Sequence, residues 1–452
     1  MEKLNVCLLN DSFPPAIDGV ANTTFNYASI IQQHHGNALV ATPRYPGIVD
    51  NYPFEVLRYS SISLPKSFGY RGGLPFDPLF LSKFNDRPID IIHTHCPAVS
   101  SWLARMIRTG IHKPIVFTYH TKFDIDVRKS ITNKTLAKTA LKSIVDNIMA
   151  ADEVWTVSKG AGENLRSLGF KGDYRIMSNG VDFERGKASD QEIEKTRQKY
   201  GIRKGPLTFL FVGRIMWYKG LKIIVDALSQ LQKSGVDFQM LFVGNGTDRE
   251  DLQQYIRQCG LADRCIFTAA IYDRAVLKAI FSLSDLFLFP STYDTNGIVV
   301  REAAATGLGS VLIERSCAAE DATGGINCLL MKENADDLAR ILINNGDNRD
   351  YFHRIGANAQ RDLYMSWREA VDNAVARYQE IIESYRYVPR HDDRFNLGHS
   401  YLNTCARMGK LISNVRHGAA STGEFLSSLS DEYTNARNEV KRRHEEKEKQ
   451  KR

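Results

Sequence analysis

The chain has 452 residues, with 43% apolar and 25% charged residues and a formal net charge of +7. That is the make-up of a soluble globular protein with room for more than one core, and no apolar run approaches the roughly 18–20 residues needed to span a bilayer. The positive balance suits a nucleotide, an anionic lipid surface or plain solubility, while neither a nucleic-acid-binding module nor a stripe of aromatic and basic residues accompanies it. Met1–Asn10 is too short in its apolar core for a secretory signal and reads as a first strand. Val6–Leu9, Leu39–Ala41, Ile89–Ile92, Ile115–Thr118 and Glu153–Val157 read as strands, with apolar residues at i, i+3 and i+4 in segments between them. That alternation predicts βαβ units and a parallel sheet covered on both faces. The pattern restarts at Leu207–Val212 and continues through Gln239–Val243, Cys265–Thr268, Leu286–Phe289 and Ser310–Ile313. Between the halves, the polar stretch Phe183–Pro206 has no strand pattern and marks the joint.

The domains expected are 1–185 and 186–372, followed by a helix over Trp367–Tyr385 that crosses within 373–388, and a tail over 389–452. In the tail, Leu402, Ala406, Met408, Leu411, Ile412 and Val415 form an amphipathic pattern, and 441–452 is charged throughout. The seven cysteines, Cys7, Cys96, Cys259, Cys265, Cys317, Cys328 and Cys405, include no C-x-x-C pair, which suits reduced thiols and a cytoplasmic location.

The segment Phe289–Glu302 carries the most chemistry. The strand formers of Asp285–Phe289 lead into a glycine-containing loop and then a small-residue helix through Ala303–Gly307. Free N–H groups point out of a helix N-terminus, so this is an anion-binding geometry, with backbone amides of Gly297 and Ile298 at the helix start. Asp294 and Glu302 stand eight residues apart around the turn, one for the loop and one for the first helical turn. A ligand carrying a diphosphate and hydroxyls suits this arrangement, although Asp294 can equally serve as an Asx-type cap on Asn296 or Gly297. Arg214 and Lys219 follow a strand and a short turn, either as a surface pair or as cationic partners for a diphosphate. Gly19, in Phe13–Val20, permits positive φ and a close backbone approach to phosphate or sugar, or is an ordinary turn glycine. The segments Asp11–Gly19, Gly213–Gly220, Gly244–Gly246 and Pro290–Glu302, with His120, all follow strands, where ligands of such sheets bind.

These pieces, taken together, resemble the retaining family-4 glycosyltransferases of group 1 type. Asp294–Glu302 is similar to their E-x7-E signature, and the other matching pieces are Gly19–Val20, Thr118–Thr121, Ser178–Asp182, Val212–Gly220 and Phe242–Gly246, in the family's order over residues 3–385. The first carboxylate is Asp294 where the family usually has Glu, and Asn296 stands where a phenylalanine is common before the glycine; both departures bear on donor-sugar choice. The resemblance implies two Rossmann-like domains facing across a cleft, the α/β architecture called GT-B, plus the C-terminal helical extension. It implies Arg214 and Lys219 on the donor diphosphate, Glu302 on the ribose, Asp294 and His120 against the transferred sugar, and Gly19, Gly213, Gly244, Gly297 and Ile298 around the donor. The implied reaction moves a hexose from a UDP- or GDP-linked sugar to a glycan or glycolipid hydroxyl. No metal is implied, because two cations can neutralise the leaving group.

Other readings stand beside these. His93 and His95 point the same way along their strand, as a satisfied strand-end pair or as two metal ligands lacking an evident third. Asp124–Asp126 spells D-x-D, a metal motif in another glycosyltransferase class whose fold pattern is absent here. Lys134, Lys138 and Lys142, beside Leu141, Ile144, Val145 and Ile148, form either a peripheral membrane contact or a solvated helix face. At the level of function, the rivals are a catalytically weak nucleotide-sugar-binding or scaffold protein on the same fold, and a phosphorylase, for whose pyridoxal cofactor no lysine motif is visible.

Overall fold

The computed structural model describes residues 3–388, apart from 17, 64–70, 75, 125–126, 128–132 and 347, together with 408 and 412. Asp126, Cys405, the charged run 441–452 and all of the amphipathic pattern over 402–415 except Met408 and Ile412 lie outside the described residues. The chain divides into two compact units. The first gathers Met1–Trp155, Leu165–Arg175 and the described residues from Asn373 onward; the second gathers Thr156–Asn164 and Ile176–Asp372.

The first unit is built on β1 (Leu4–Leu9), β2 (Gly36–Pro43), β3 (Glu55–Tyr59), a small hairpin of β4 (Ser61–Ser63) and β5 (Arg71–Gly73), β6 (Ile91–Thr94), β7 (Ile115–Tyr119), β8 (Glu153–Thr156) and β9 (Arg175–Ile176). Among the described residues its sheet has seven strands in the order β3-β2-β1-β6-β7-β8-β9, with parallel pairing from β3 through β7. The helices are α1 (Gly19–His34), α2 (Pro78–Asn85), α3 (Val99–Ile111), α4 (Lys134–Met149) and the end of α5 (Lys159–Ser167), whose residues up to Asn164 belong to the second unit. Val6, Cys7, Leu8 and Leu9 are all buried, so both faces of β1 are covered, as a continuous apolar run in a parallel sheet requires. The edge strand β3 carries Glu55 and Arg58, charges that an edge tolerates and that hide a strand from a hydrophobicity reading.

On α4 the lysines at 134, 138 and 142 are exposed, but Leu141, Val145 and Ile148 are buried in the unit's own core. Of the apolar half of the expected membrane surface only Ile144 stays half-buried; Leu136, 61% exposed, and Met149, 41% exposed, are the large apolar side chains that α4 leaves in solvent.

The second unit carries α6 (Asp190–Tyr200), β10 (Leu207–Val212), α7 (Leu221–Lys233), β11 (Phe238–Val243), α8 (Arg249–Gln258), β12 (Cys265–Thr268), α9 (Arg274–Leu283), β13 (Leu286–Phe289), α10 (Ile298–Ala305), β14 (Ser310–Ile313), β15 (Leu329–Met331), α11 (Ala335–Asn344) and α12 (Arg349–Asp362). Among the described residues its six-stranded sheet runs β12-β11-β10-β13-β14-β15, all parallel. Leu207, Phe209 and Phe211 enter one hydrophobic cluster and Leu210 the other, the period of two that buries both faces of a strand. The polar stretch before β10 contains α6. Its start is fixed by a capping box between Ser189 and Glu192 and its end by Gly201 in the left-handed conformation, so end groups substitute for a wide apolar face.

The long helix α13 (Trp367–Ser384) contains the division between the units, at Asp372/Asn373. Within the first unit, its Tyr378 ring stacks on Trp155 at 5.3 Å between centroids, and Arg377 Nε donates to both oxygens of Glu153 at 2.9 and 3.1 Å.

Candidate active site

In the second unit the diagnostic residues gather at the carboxyl ends of β10, β11 and β13. β10 and β11 run side by side in register to Val212 and Val243, which brings the two following glycines together. A Cβ on Gly244, whose φ is +142°, would lie 2.0 Å from the Gly213 carbonyl oxygen, so only glycine lets the two turns approach this closely. Gly213 N donates to the Val243 carbonyl at 3.0 Å.

Beyond that turn, Arg214 is exposed and forms no ion pair with the described residues. Lys219 differs from the expectation of a solvent loop. It closes a 3-10 turn, Trp217–Lys219, and is only 7% exposed. Its ammonium donates to Asp294 Oδ1 at 2.6 Å and lies between the rings of Tyr218 and Tyr293, 5.6 and 5.7 Å from their centroids. Ser291 Oγ donates to the other oxygen, Oδ2, at 2.6 Å. Asp294 therefore faces the lysine and the serine, rather than capping Asn296 or Gly297.

Gly297 is the N-cap of α10, with φ +57°, and a Cβ there would meet the Ala318 Cβ at 2.9 Å. Among the described residues no side chain caps this helix, so the first N–H groups, beginning with Ile298, have no side-chain acceptor there. Asn296 is 8% exposed and its Nδ2 makes no hydrogen bond with the described residues, so a polar group stands where the resemblance has an aromatic. Glu302 lies in the second turn of α10 rather than the first, 8% exposed. Its Oε1 accepts from Arg274 Nη2 at 2.6 Å. Burial pushes its carboxyl up, Arg274 pulls it down and Asp182 raises it. Arg274 was not singled out from the sequence; the one available signal is a cation at a helix N-terminus, where the dipole disfavours it.

In the first unit, Gly19 is the first residue of α1, after the cap Asp18, whose Oδ1 accepts from Val20 N and Ala21 N at 2.8 Å. It is not among the residues with positive φ, so the conformational reason expected for it does not hold. A Cβ there would meet no atom of the described residues within 4 Å.

His120 is 6% exposed, and its Nε2 lies 3.0 Å from His95 Nδ1. His93 and His95 do share a face, their rings 4.0 Å apart, and His93 Nε2 lies 2.7 Å from Thr118 Oγ1. Among the described residues no three or more His, Cys, Asp or Glu side chains form a cluster able to hold a metal.

Burial lowers the pKa of all three histidines, that of His120 to about 3. An unfolded histidine titrates near 6.5, so below that pH the unfolded chain takes up protons that the folded one refuses. Stability is thus full above about pH 6.5 and falls as the pH drops toward 3. Calorimetry should show Tm declining through that window, and less steeply in His120→Gln. Equal slopes in the two proteins would contradict the burial argument.

Two family models match in succession: "Glycosyltransferase Family 4" over residues 17–185 and "Glycosyl transferases group 1" over 192–362. Together they take in most of the chain. The alpha-monoglucosyldiacylglycerol synthase of Streptococcus pneumoniae is 22% identical over 316 residues, 67% of this chain and 70% of that protein. The synthase of the same name from Acholeplasma laidlawii is 22% identical over 374 residues, 79% of this chain and 92% of its own. Among solved structures, Anabaena HepE in complex with UDP superposes with a TM-score of 0.65 at 20% identity, covering 83% of this chain and 100% of that one. The paired parallel sheets, the helix start after β13 and the two successive family matches lead to one assignment: the chain belongs to the family-4, group 1 glycosyltransferases and has the GT-B fold.

Proposed function

We propose that the enzyme moves a hexose from a UDP- or GDP-linked sugar to a hydroxyl of a glycan or glycolipid, with retention of configuration. The observation that carries this reading is the grouping of Arg214, Lys219, Asp294 and the uncapped start of α10 at the strand ends of the second unit. Arg214 and Lys219 meet the diphosphate, and the amides of Gly297 and Ile298 meet its oxygens or those of the sugar. Glu302 accepts from the vicinal hydroxyls of the ribose, and Asp294 from those of the sugar. Gly213 and Gly244 supply the close backbone turn beside them. Gly19 and His120, in the first unit, keep the roles the resemblance implies.

Chemically, the bond from the sugar's anomeric carbon to the diphosphate oxygen breaks. A bond to the acceptor oxygen forms on the same face, and the acceptor's proton passes to the departing phosphate. The protein's share is positioning and stabilisation of charge on the leaving group by groups already in place. Relatives named as alpha-monoglucosyldiacylglycerol synthases favour a lipid-linked acceptor. One relative is named as a GDP-mannose-dependent alpha-mannosyltransferase and one fold neighbour is recorded with UDP, so the reading keeps both nucleotides.

The test is transfer or hydrolysis of UDP- and GDP-hexoses by the pure protein, with and without excess chelator. Activity is expected to survive chelation, since two cations face the leaving group. Loss with chelator and recovery with Mn²⁺ or Mg²⁺ would overturn the metal-free reading. Absence of any turnover with every donor would favour the catalytically weak, sugar-nucleotide-binding alternative, for which the pairing of Lys219 with Asp294 is the motivating observation.

A peripheral membrane contact through Lys134, Lys138 and Lys142 is part of the proposal. No helix among the described residues is long and apolar enough to cross a membrane. Each lysine near an anionic surface contributes about 1 kcal/mol, screened by salt. With Leu141 and Ile148 in the core the contact is electrostatic. Sedimentation with anionic vesicles is expected at low salt and lost at high salt, and lost in the triple Lys→Glu variant. Wild-type protein that stays in the supernatant at low salt would remove it.

A further inference from the structure

Arg274 opens α9, directly after the cap Asp273, whose Oδ1 accepts from Ala275 N and Val276 N at 3.0 and 3.2 Å. The helix dipole favours anions there, so local helix energetics give no reason for a cation. Its surroundings do. The guanidinium sits 4.2 Å over the Phe183 ring, and that ring packs edge-on against Phe281 at 5.7 Å. Nη2 donates to Glu302 Oε1 at 2.6 Å and stands 3.7 Å from Asp182 Oδ2, while the buried Nε makes no hydrogen bond with the described residues. The arginine is thus pinned by a ring on one side and by a nearly buried carboxylate at its tip. Glu302 Oε2 has no hydrogen-bond partner among the described residues.

We propose that Arg274 is a positioning residue for the donor: it holds Glu302 ionised and oriented, with Oε1 anchored and Oε2 left to accept from the ribose hydroxyls. This rests on the reading that Glu302 binds the nucleotide. An ionised carboxylate only accepts hydrogen bonds, as a diol requires; a protonated one turns an oxygen into a donor and loses acceptor capacity. Burial alone drives Glu302 toward the protonated form. Of the charged groups facing it, Arg274 opposes that and Asp182 reinforces it. Removing Arg274 leaves a buried carboxyl beside a second acid, and protonation then competes with nucleotide binding.

The experiment titrates UDP and GDP into the full-length protein from pH 6 to pH 8.5, for wild type, Glu302→Gln, Arg274→Gln and Arg274→Lys. In parallel, the Glu302 carboxyl is followed by ¹³C NMR without nucleotide. Wild type is expected to bind with little pH dependence, and Glu302→Gln weakly at every pH. Arg274→Gln should approach wild type at high pH and fall, below the carboxyl's pKa, toward the roughly tenfold weaker affinity of Glu302→Gln, with the ¹³C midpoint moved up. Arg274→Lys should restore the flat profile.

Equal weakening of Arg274→Gln at all pH values, with an unmoved ¹³C midpoint, would overturn the inference and leave the arginine as packing. If Glu302→Gln binds both nucleotides as wild type does, the ribose reading itself fails. The ¹³C midpoint reports on the arginine's hold over Glu302 in either case, which separates the two failures.

Discussion

Arg214→Ala and Lys219→Ala are each expected to lower turnover by roughly 10²–10³-fold, the scale of losing one preorganised partner for charge that develops in the transition state. The two variants should differ in everything else. Arg214 is exposed and forms no ion pair with the described residues, so its removal should leave stability within about 0.5 kcal/mol of wild type. Lys219 is buried against Asp294, with a side-chain exposure of 9% beside one of 26%. Its removal strands a carboxylate that is mostly shielded from water, at a cost of about 1–3 kcal/mol. Asp294→Asn added to Lys219→Ala should recover most of that stability and none of the activity. Single-turnover kinetics and denaturant unfolding on the four proteins check both halves. Near wild-type turnover in Arg214→Ala and Lys219→Ala would remove the diphosphate assignment.

The contrast between these two cations shows what the sequence could and could not convey. Both follow the same strand, within one short motif, and both read as loop residues. Nothing in the spacing tells that one side chain points into the protein, because Lys219's burial depends on Asp294, Tyr218 and Tyr293, contacts that span up to 75 positions. The strands with continuous apolar runs, such as Leu207–Val212, were legible because both faces are buried and every position is apolar. β3, with Glu55 and Arg58, and β15, three residues long, were not, because edge position and shortness remove the apolar signal. Arg274 lay beyond reach for the reason that hid Lys219's burial: its partner Glu302 is 28 residues away and meets it only once α9 and α10 have packed. On α4 the apolar stripe was legible but not its partner: periodicity cannot say whether a stripe meets lipid or the protein's own sheet, and Leu141, Val145 and Ile148 are buried in the core.

Asp294→Asn and Glu302→Gln should separate sugar from nucleotide. In this structure both Asp294 oxygens are engaged, by Lys219 and by Ser291, and the donor must share or replace those contacts. Its side chain is also one methylene shorter than glutamate, which shortens its reach by about 1.5 Å. Asparagine keeps the shape and one acceptor but loses the charge. Asp294→Asn is therefore expected to lower turnover by roughly 10–10²-fold through poorer sugar positioning, while UDP and GDP, which lack the sugar, bind nearly as before. Glu302→Gln should do the reverse. It exchanges an acceptor oxygen for an NH₂ donor where a diol needs acceptors, so nucleotide affinity should fall by roughly tenfold, the scale of one hydrogen bond to a charged group. Turnover at saturating donor should change less. Isothermal titration of the free nucleotides, set beside kcat and KM for the intact donor, decides between them. Equal losses of nucleotide affinity in the two variants would mean that the carboxylates act on one part of the donor, and the division between sugar and ribose would have to be given up.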